Sequence, residues 1–116
     1  MTEDLHYILE GRRAISVVDA MEWAKWFEAN QDKKRVASTV IGTVRISTVF
    51  LGLNHNFMGK GKPLIFETMV FGGKHDEYQE RYSTYKEAED GHREAVDLVR
   101  ESLGLLDKVI GWFNNN

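Results

Sequence analysis

The chain has no cysteine, which removes both a disulfide framework and any thiolate metal site. No apolar run approaches the roughly 20 residues that span a bilayer, so no membrane partner is expected. Basic residues are not in surplus either, since 18 acidic against 15 basic side chains give a net charge of -3. A protein that grips DNA or RNA by its backbone carries a basic excess, so no long nucleic acid is expected. A small anionic ligand is still admitted, because two or three well-placed arginines or lysines suffice to hold one. Repeats, linkers and low-complexity tracts are lacking, apart from the closing "NNN". The opening "MTEDLHYILEGRR" is acidic and polar, unlike a secretory signal, and the expected location is the cytosol.

What is present fits a single domain, residues 1–116. With 42% hydrophobic and 28% charged residues, the chain has the composition of a soluble globular protein long enough for one core. "HYILEG" reads as a short strand, which "AISV" would continue. "DAMEWAKWFEAN" reads as a helix with Asp19 as N-cap and Glu22 three residues on. Its Met21, Trp23, Ala24, Trp26 and Phe27 exceed a narrow stripe, so this helix is expected to be heavily buried. Core packing is favoured for Trp23 and Trp26 over an aromatic ligand shelf.

"RVASTVIG" and "TVRISTVFLGL" read as strands joined in a hairpin around Gly42 and Thr43. "LIFETMVFGG" follows Pro63, and "YQERYS" is a short fourth partner. "TYKEAEDGHREAVDLVRESLG" is a helix opened by a Thr84/Glu87 capping box, with Gly104 as its stop. Tyr85, Ala88, His92, Ala95, Val96, Val99 and Leu103 form its apolar stripe. "LLDKVIGWF" then reads as a shorter terminal helix. The fold class is α+β: an antiparallel sheet with an N-terminal helix and C-terminal helices packed on it.

In "VRISTVFLGLNHNF", residues 44–57, Val44, Ile46 and Thr48 alternate with Arg45 and Ser47. The alternation then fails at Val49, Phe50, Leu51 and Leu53. "LIFETMVFGG" is apolar on both faces too. Antiparallel strands with one wet face keep their alternation, so a second copy of the chain is expected to cover the second face.

Chemistry is sparsely marked. The four histidines, at 6, 55, 75 and 92, form no HxH, HxxH or HExxH pair, so no metal is expected. His92 lies on the apolar stripe, where a satisfied core histidine is the plainer reading. His55 leaves a buried strand for a loop, and no nucleophile is paired with it by spacing. "MGKGKP" could cradle phosphate through backbone N–H groups and Lys60 or Lys62, yet it lacks a Walker ending and reads first as a hairpin loop. Arg45 and Glu67 fall inside apolar strands and could serve as each other's partner. Lys86, Arg93 and Arg100 recur every seven residues along one helix face, with Glu89 placed to pair with Arg93. No cofactor is called for.

Taken together, "RVASTVIGTVRISTVFLGLNHNF", "PLIFETMVFGG" and "ERYSTYKEAEDGH" resemble a family of small phage proteins, the Thoeris anti-defence proteins of the first kind. The resemblance runs from "DAMEWAKWFE" to His92. It departs at Asn54, where the family pattern has an aspartate, and at "MGKGKP", where lysines enter a Gly/Pro-rich loop. It implies a non-enzymatic protein in the host cytoplasm, which binds the glycocyclic ADP-ribose signal of a TIR-domain enzyme and withholds it uncleaved. It also implies dimers that can assemble to hexamers, pockets at subunit contacts and, in some members, separate sites for cyclic oligonucleotides.

For such a ligand, Phe71, Phe57 or Tyr82 would stack a base. Arg45, Arg81, Arg93 and Arg100 would hold phosphate, and Asn54, Asn56 and His55 would read hydroxyls and ring edges. The rival expectations are a protein that inhibits a host protein through an apolar surface, and a hydrolase using His55 and Glu67.

Overall fold

The computed structural model describes residues 4–114, with side-chain surroundings given for residues 4–104. Tyr7–Glu10 (β1) and Arg13–Ser16 (β2) form an antiparallel hairpin with Leu9 opposite Ala14. "AISV" therefore does not continue the first strand; the chain turns back at Gly11 and Arg12 and returns alongside it. Ala20–Ala29 (α1) follows, then a 3-10 turn at Gln31–Lys34. Arg35–Ile41 (β3), Val44–Phe50 (β4), Phe66–Phe71 (β5) and Gln79–Tyr82 (β6) make a four-stranded antiparallel sheet in the order β3-β4-β5-β6. The expected α+β class is what forms, and among the described residues no helix is long and apolar enough to cross a membrane.

Tyr85–Asn114 is one continuous helix, α2. The expected break at Gly104 does not occur, because glycine only permits a left-handed cap and nothing here demands one. Its start is as expected: the Thr84 N–H donates to Glu87 Oε1 at 3.0 Å, and the Glu87 N–H donates back to Thr84 Oγ1 at 3.1 Å. At α1, Asp19 accepts from the Met21 N–H at 2.9 Å.

The core lies between α2 and one face of the sheet. It has two apolar clusters, one around Phe50, Ile65, Phe66, Leu9 and Ala88, the other around Val44, Ile46, Val70, Ala95 and Val99. Burying each of these larger side chains contributes about 1.5–3 kcal/mol. Between the clusters runs a polar layer. Thr48 and Thr68 face each other across β4 and β5 with hydroxyls 2.6 Å apart. The His92 ring bridges from α2, with Nδ1 2.7 Å from Thr48 Oγ1 and Nε2 2.8 Å from Thr39 Oγ1. A neutral imidazole donates from one nitrogen and accepts at the other, so both are satisfied.

The α1 helix is not heavily buried, contrary to its composition. None of its residues is fully buried, and Met21 is 67% exposed. Trp23, Trp26 and Phe27 alone turn inward. The Trp23 Nε1–H donates to the Tyr7 carbonyl at 3.0 Å, and Trp26 meets Phe50 edge-on. The helix rides on Gly52, at φ +74, where an added Cβ would come within 2.5 Å of the Phe27 ring. This accounts for the lost alternation after Val49: β4 ends at Phe50, and Leu51–Leu53 pass into a glycine-centred crossing under α1.

Two substitutions of the same kind should have opposite effects. At Gly91 a Cβ would overlap the Tyr82 ring and hydroxyl, whereas at Gly104 nothing lies within 4 Å. Alanine gains about 1 kcal/mol over glycine in a helix, and overpacking costs about 1–3 kcal/mol. Gly91→Ala should therefore lower the denaturant midpoint, and Gly104→Ala should raise it, with a gain of up to about 1 kcal/mol in unfolding free energy.

Acid should weaken the fold through His92, whose pKa burial holds below the ordinary 6.5. Above that value both states keep the ring neutral and stability is complete. As pH falls below it, the unfolded chain binds the proton first, and stability declines until the folded ring protonates as well. Urea midpoints across this window should fall in the wild type and show a smaller fall in His92→Gln.

Candidate functional site

A concavity opens where the β1–β2 turn approaches the start of α2. Its volume is about 820 Å³, and Glu10, Arg12, Arg13 and Ala14 line one wall. Ser83, Thr84, Tyr85, Lys86 and Glu89 line the other. A recess of about 330 Å³ adjoins it, formed by Leu9, Gly11, Lys33, Arg35 and the same Tyr85. Tyr85 lines both, together with Arg12, Arg13 and Lys86 in the first and with Lys33 and Arg35 in the second.

Local sequence builds this arrangement. The turn at Gly11 carries the arginines to the hairpin tip, and the capping box fixes the start of α2. Tyr85 is anchored edge-on against Phe66 of the core, with ring centroids 5.7 Å apart. The Arg12 guanidinium stands 5.3 Å from the Tyr85 ring centroid and donates to Glu89 Oε1 at 3.2 Å. Glu10 lies opposite Arg13 in the hairpin register. The Lys86 ammonium donates to Asp90 at 3.2 Å, and that bond, with Arg93 adding, holds the Asp90 carboxyl below its usual range. The positive end of the α2 dipole opens on the same space. Exposed ion pairs contribute only about 0–1 kcal/mol, so a phosphate could displace these carboxylates.

The residues singled out in the sequence lie in separate places. Arg93 and Arg100 line a third recess, about 310 Å³, with Thr39, His92, Val96 and Asp97. Arg93 pairs with Asp90 rather than with Glu89, which Arg12 takes. On the sheet face away from α2, Arg45 lies 4.5 Å from the Phe71 ring centroid, its neighbour across β4 and β5. The expected Arg45–Glu67 pair does not form. Glu67 accepts from Arg81 Nε at 2.9 Å and Gln79 Nε2 at 2.8 Å, because β6 sets Arg81 directly beside it.

Tyr82 packs into the core, where burial raises its pKa above 10.0. Asn54 is buried, and its amide oxygen accepts from the Asn56 and Leu64 N–H groups at 2.8 and 3.0 Å. His55 donates from Nδ1 to the Leu53 carbonyl at 2.9 Å, and its ring lies 5.8 Å from that of the exposed Phe57. His55 and Glu67 are thus each engaged elsewhere. Among the described residues, no group of three or more His, Asp or Glu could hold a metal ion.

The cations around Tyr85 had a signal in the sequence, the basic runs "GRR" at 11–13 and "KKR" at 33–35. They stand far apart along the chain, and only the return of the hairpin over α2 makes them neighbours.

Arg81→Ala should be a structural lesion. It leaves the carboxylate of Glu67, 8% exposed, with one neutral donor, at a cost of about 1–3 kcal/mol, readable as a lower denaturant midpoint. Phe71→Ala, at a 39% exposed position, should leave the midpoint almost unchanged.

Compared with known protein families, curated proteins and solved structures, the chain matches none of them.

Proposed function

We propose that this protein binds and withholds a small cyclic nucleotide immune signal without degrading it. The signal is of the glycocyclic ADP-ribose type made by Thoeris TIR enzymes, with cyclic oligonucleotides as further ligands. The observation that carries this reading is that Tyr85 lines two recesses, each of which also holds basic side chains. A cyclic ADP-ribose isomer offers an adenine face, ribose hydroxyls and a pyrophosphate. Tyr85 would stack the base, worth about 1–3 kcal/mol. Arg13, Lys86 and Arg35 would take phosphate oxygens, and Glu10 and Glu89 would accept from ribose hydroxyls. The likeness of "STVFLGLNHNF" and "LIFETMVFGG" to the anti-defence family supports the same ligand class.

The place of action is the host cytoplasm, and the working form is a homo-oligomer, a dimer or hexamer. Support for the oligomer comes from the sheet face away from α2, where Val40 is 66% and Phe71 39% exposed. A second reading has the same face inhibiting a host protein. A single-chain mass in sedimentation, with and without ligand, would contradict the oligomer.

The test is a thermal shift of the purified chain with the product of an active TIR enzyme, and with cyclic di- and trinucleotides alongside. Ligand at a hundredfold above its dissociation constant should add about 2.7 kcal/mol, and boiling should release it intact. Tyr85→Ala should weaken binding by about tenfold or more. Absence of any shift, or release of altered nucleotide, would contradict the proposal.

A further inference from the structure

The Arg12 side chain makes two contacts at once in the cleft. Its guanidinium stands over the Tyr85 ring, 5.3 Å from the centroid, and its Nη1 donates to Glu89 Oε1 at 3.2 Å. The nucleotide reading gives that ring the base and that carboxylate a ribose hydroxyl. One residue therefore covers both. Stacked aromatic groups place their centroids about 4.5–7 Å apart, the shell that the guanidinium already fills. A base that enters through the concavity Arg12 helps to line meets an occupied face.

We infer that Arg12 is a gate on this site: ligands that stack on Tyr85 must displace it, and ligands that use only the surrounding cations need not. The inference rests on the nucleotide reading above. Arg12 differs from Arg13, Lys86 and Arg35, the cations assigned to phosphate, because its guanidinium lies over the ring itself.

The gate is held lightly enough to open. Arg12 follows Gly11 in the β1–β2 turn, with open space around the glycine. Its side chain is 73% exposed and that of Glu89 30%, so the guanidinium can swing into water without disturbing the core. An ion pair at such exposure is weak, and an exposed cation–π contact is of the same modest order. Together they lower affinity for stacking ligands by about three- to tenfold. Opening also frees Glu89 Oε1, so the group that holds the gate shut becomes an acceptor for the incoming hydroxyl. A bare ring beside Arg13, Lys86 and Arg35 would take up any aromatic anion. The covered ring favours a ligand that brings base, hydroxyls and phosphate together.

The test is calorimetric titration of the full chain with ADP-ribose, with the TIR-enzyme product and, separately, with inorganic pyrophosphate. Arg12→Gln should bind the two nucleotides about three- to tenfold more tightly than the wild type, despite losing a positive charge. Its affinity for pyrophosphate should not rise. Arg13→Gln, which removes the same charge one residue away, should weaken binding of all three. Without ligand, Arg12→Gln should melt at or slightly below the wild type. Stability and nucleotide affinity then move in opposite directions, which a merely structural contact does not produce. Nucleotide affinity that is unchanged or weaker in Arg12→Gln, while Tyr85→Ala still reduces it, overturns the gate and leaves the nucleotide reading standing. An equal gain for pyrophosphate also overturns it, since Arg12 would then obstruct the phosphates rather than the ring. If neither the wild type nor Arg12→Gln binds either nucleotide, the nucleotide reading fails and the gate with it.

Discussion

One buried imidazole fixes the position of the long helix on the sheet. Apolar packing is tolerant of small slides, because neighbouring alanines and valines offer similar surfaces to a passing side chain. A histidine with a threonine hydroxyl at each ring nitrogen is satisfied in one register only, and losing either bond would leave a buried polar group unpaired. His92 meets Thr39 and Thr48 from α2, and Thr48 passes the contact to Thr68. This layer divides the two apolar clusters and ties α2 to β3 and β4 directly and to β5 through the threonines. Everything at the start of α2, Tyr85 included, is placed by that contact two turns away.

The cleft beside Tyr85 is therefore made by two pieces that do not share a strand. The helix start is held by the core, and the hairpin tip reaches it from a separate two-stranded sheet. What joins them at the rim is an exposed ion pair, Arg12 with Glu89. Such pairs are weak and screened by salt. A ligand carrying two phosphates would compete with the carboxylates for the same cations. The mixture of carboxylates with cations suits a ligand that brings hydroxyls as well as phosphate.

Much of the architecture is legible in the residues because it depends on near neighbours. The capping box at Thr84 and Glu87, the hairpin at Gly42–Thr43 and the three-four spacing from Ala88 to Val99 all act over a turn or less. The role of His92 is legible for the same reason, since its place on the stripe makes it a core residue in need of partners. Burial of α1 is misjudged from composition, because only the face with Trp23, Trp26 and Phe27 meets the rest of the described fold, and Met21 and Ala24 are left exposed. The partner of Glu67 is misassigned because register decides it: β6 brings Arg81 to its side, while β4 sets Val49 opposite Glu67 and places Arg45 opposite Phe71. The cleft is the least legible part. Its cations come from residues near 12, 34 and 86, and no spacing rule links segments brought together only by the third dimension.

Nucleotide binding around Tyr85 is the central proposal. The most direct measurement is a map of backbone amide chemical shifts during titration with ADP-ribose or the TIR-enzyme product. The largest changes should fall on Gly11–Ala14, Lys33–Arg35 and Ser83–Glu89, with the sheet face at Arg45 and Phe71 unaffected. Saturable changes centred on Arg45, Phe71 and Arg81, or none at any ligand concentration, would contradict it.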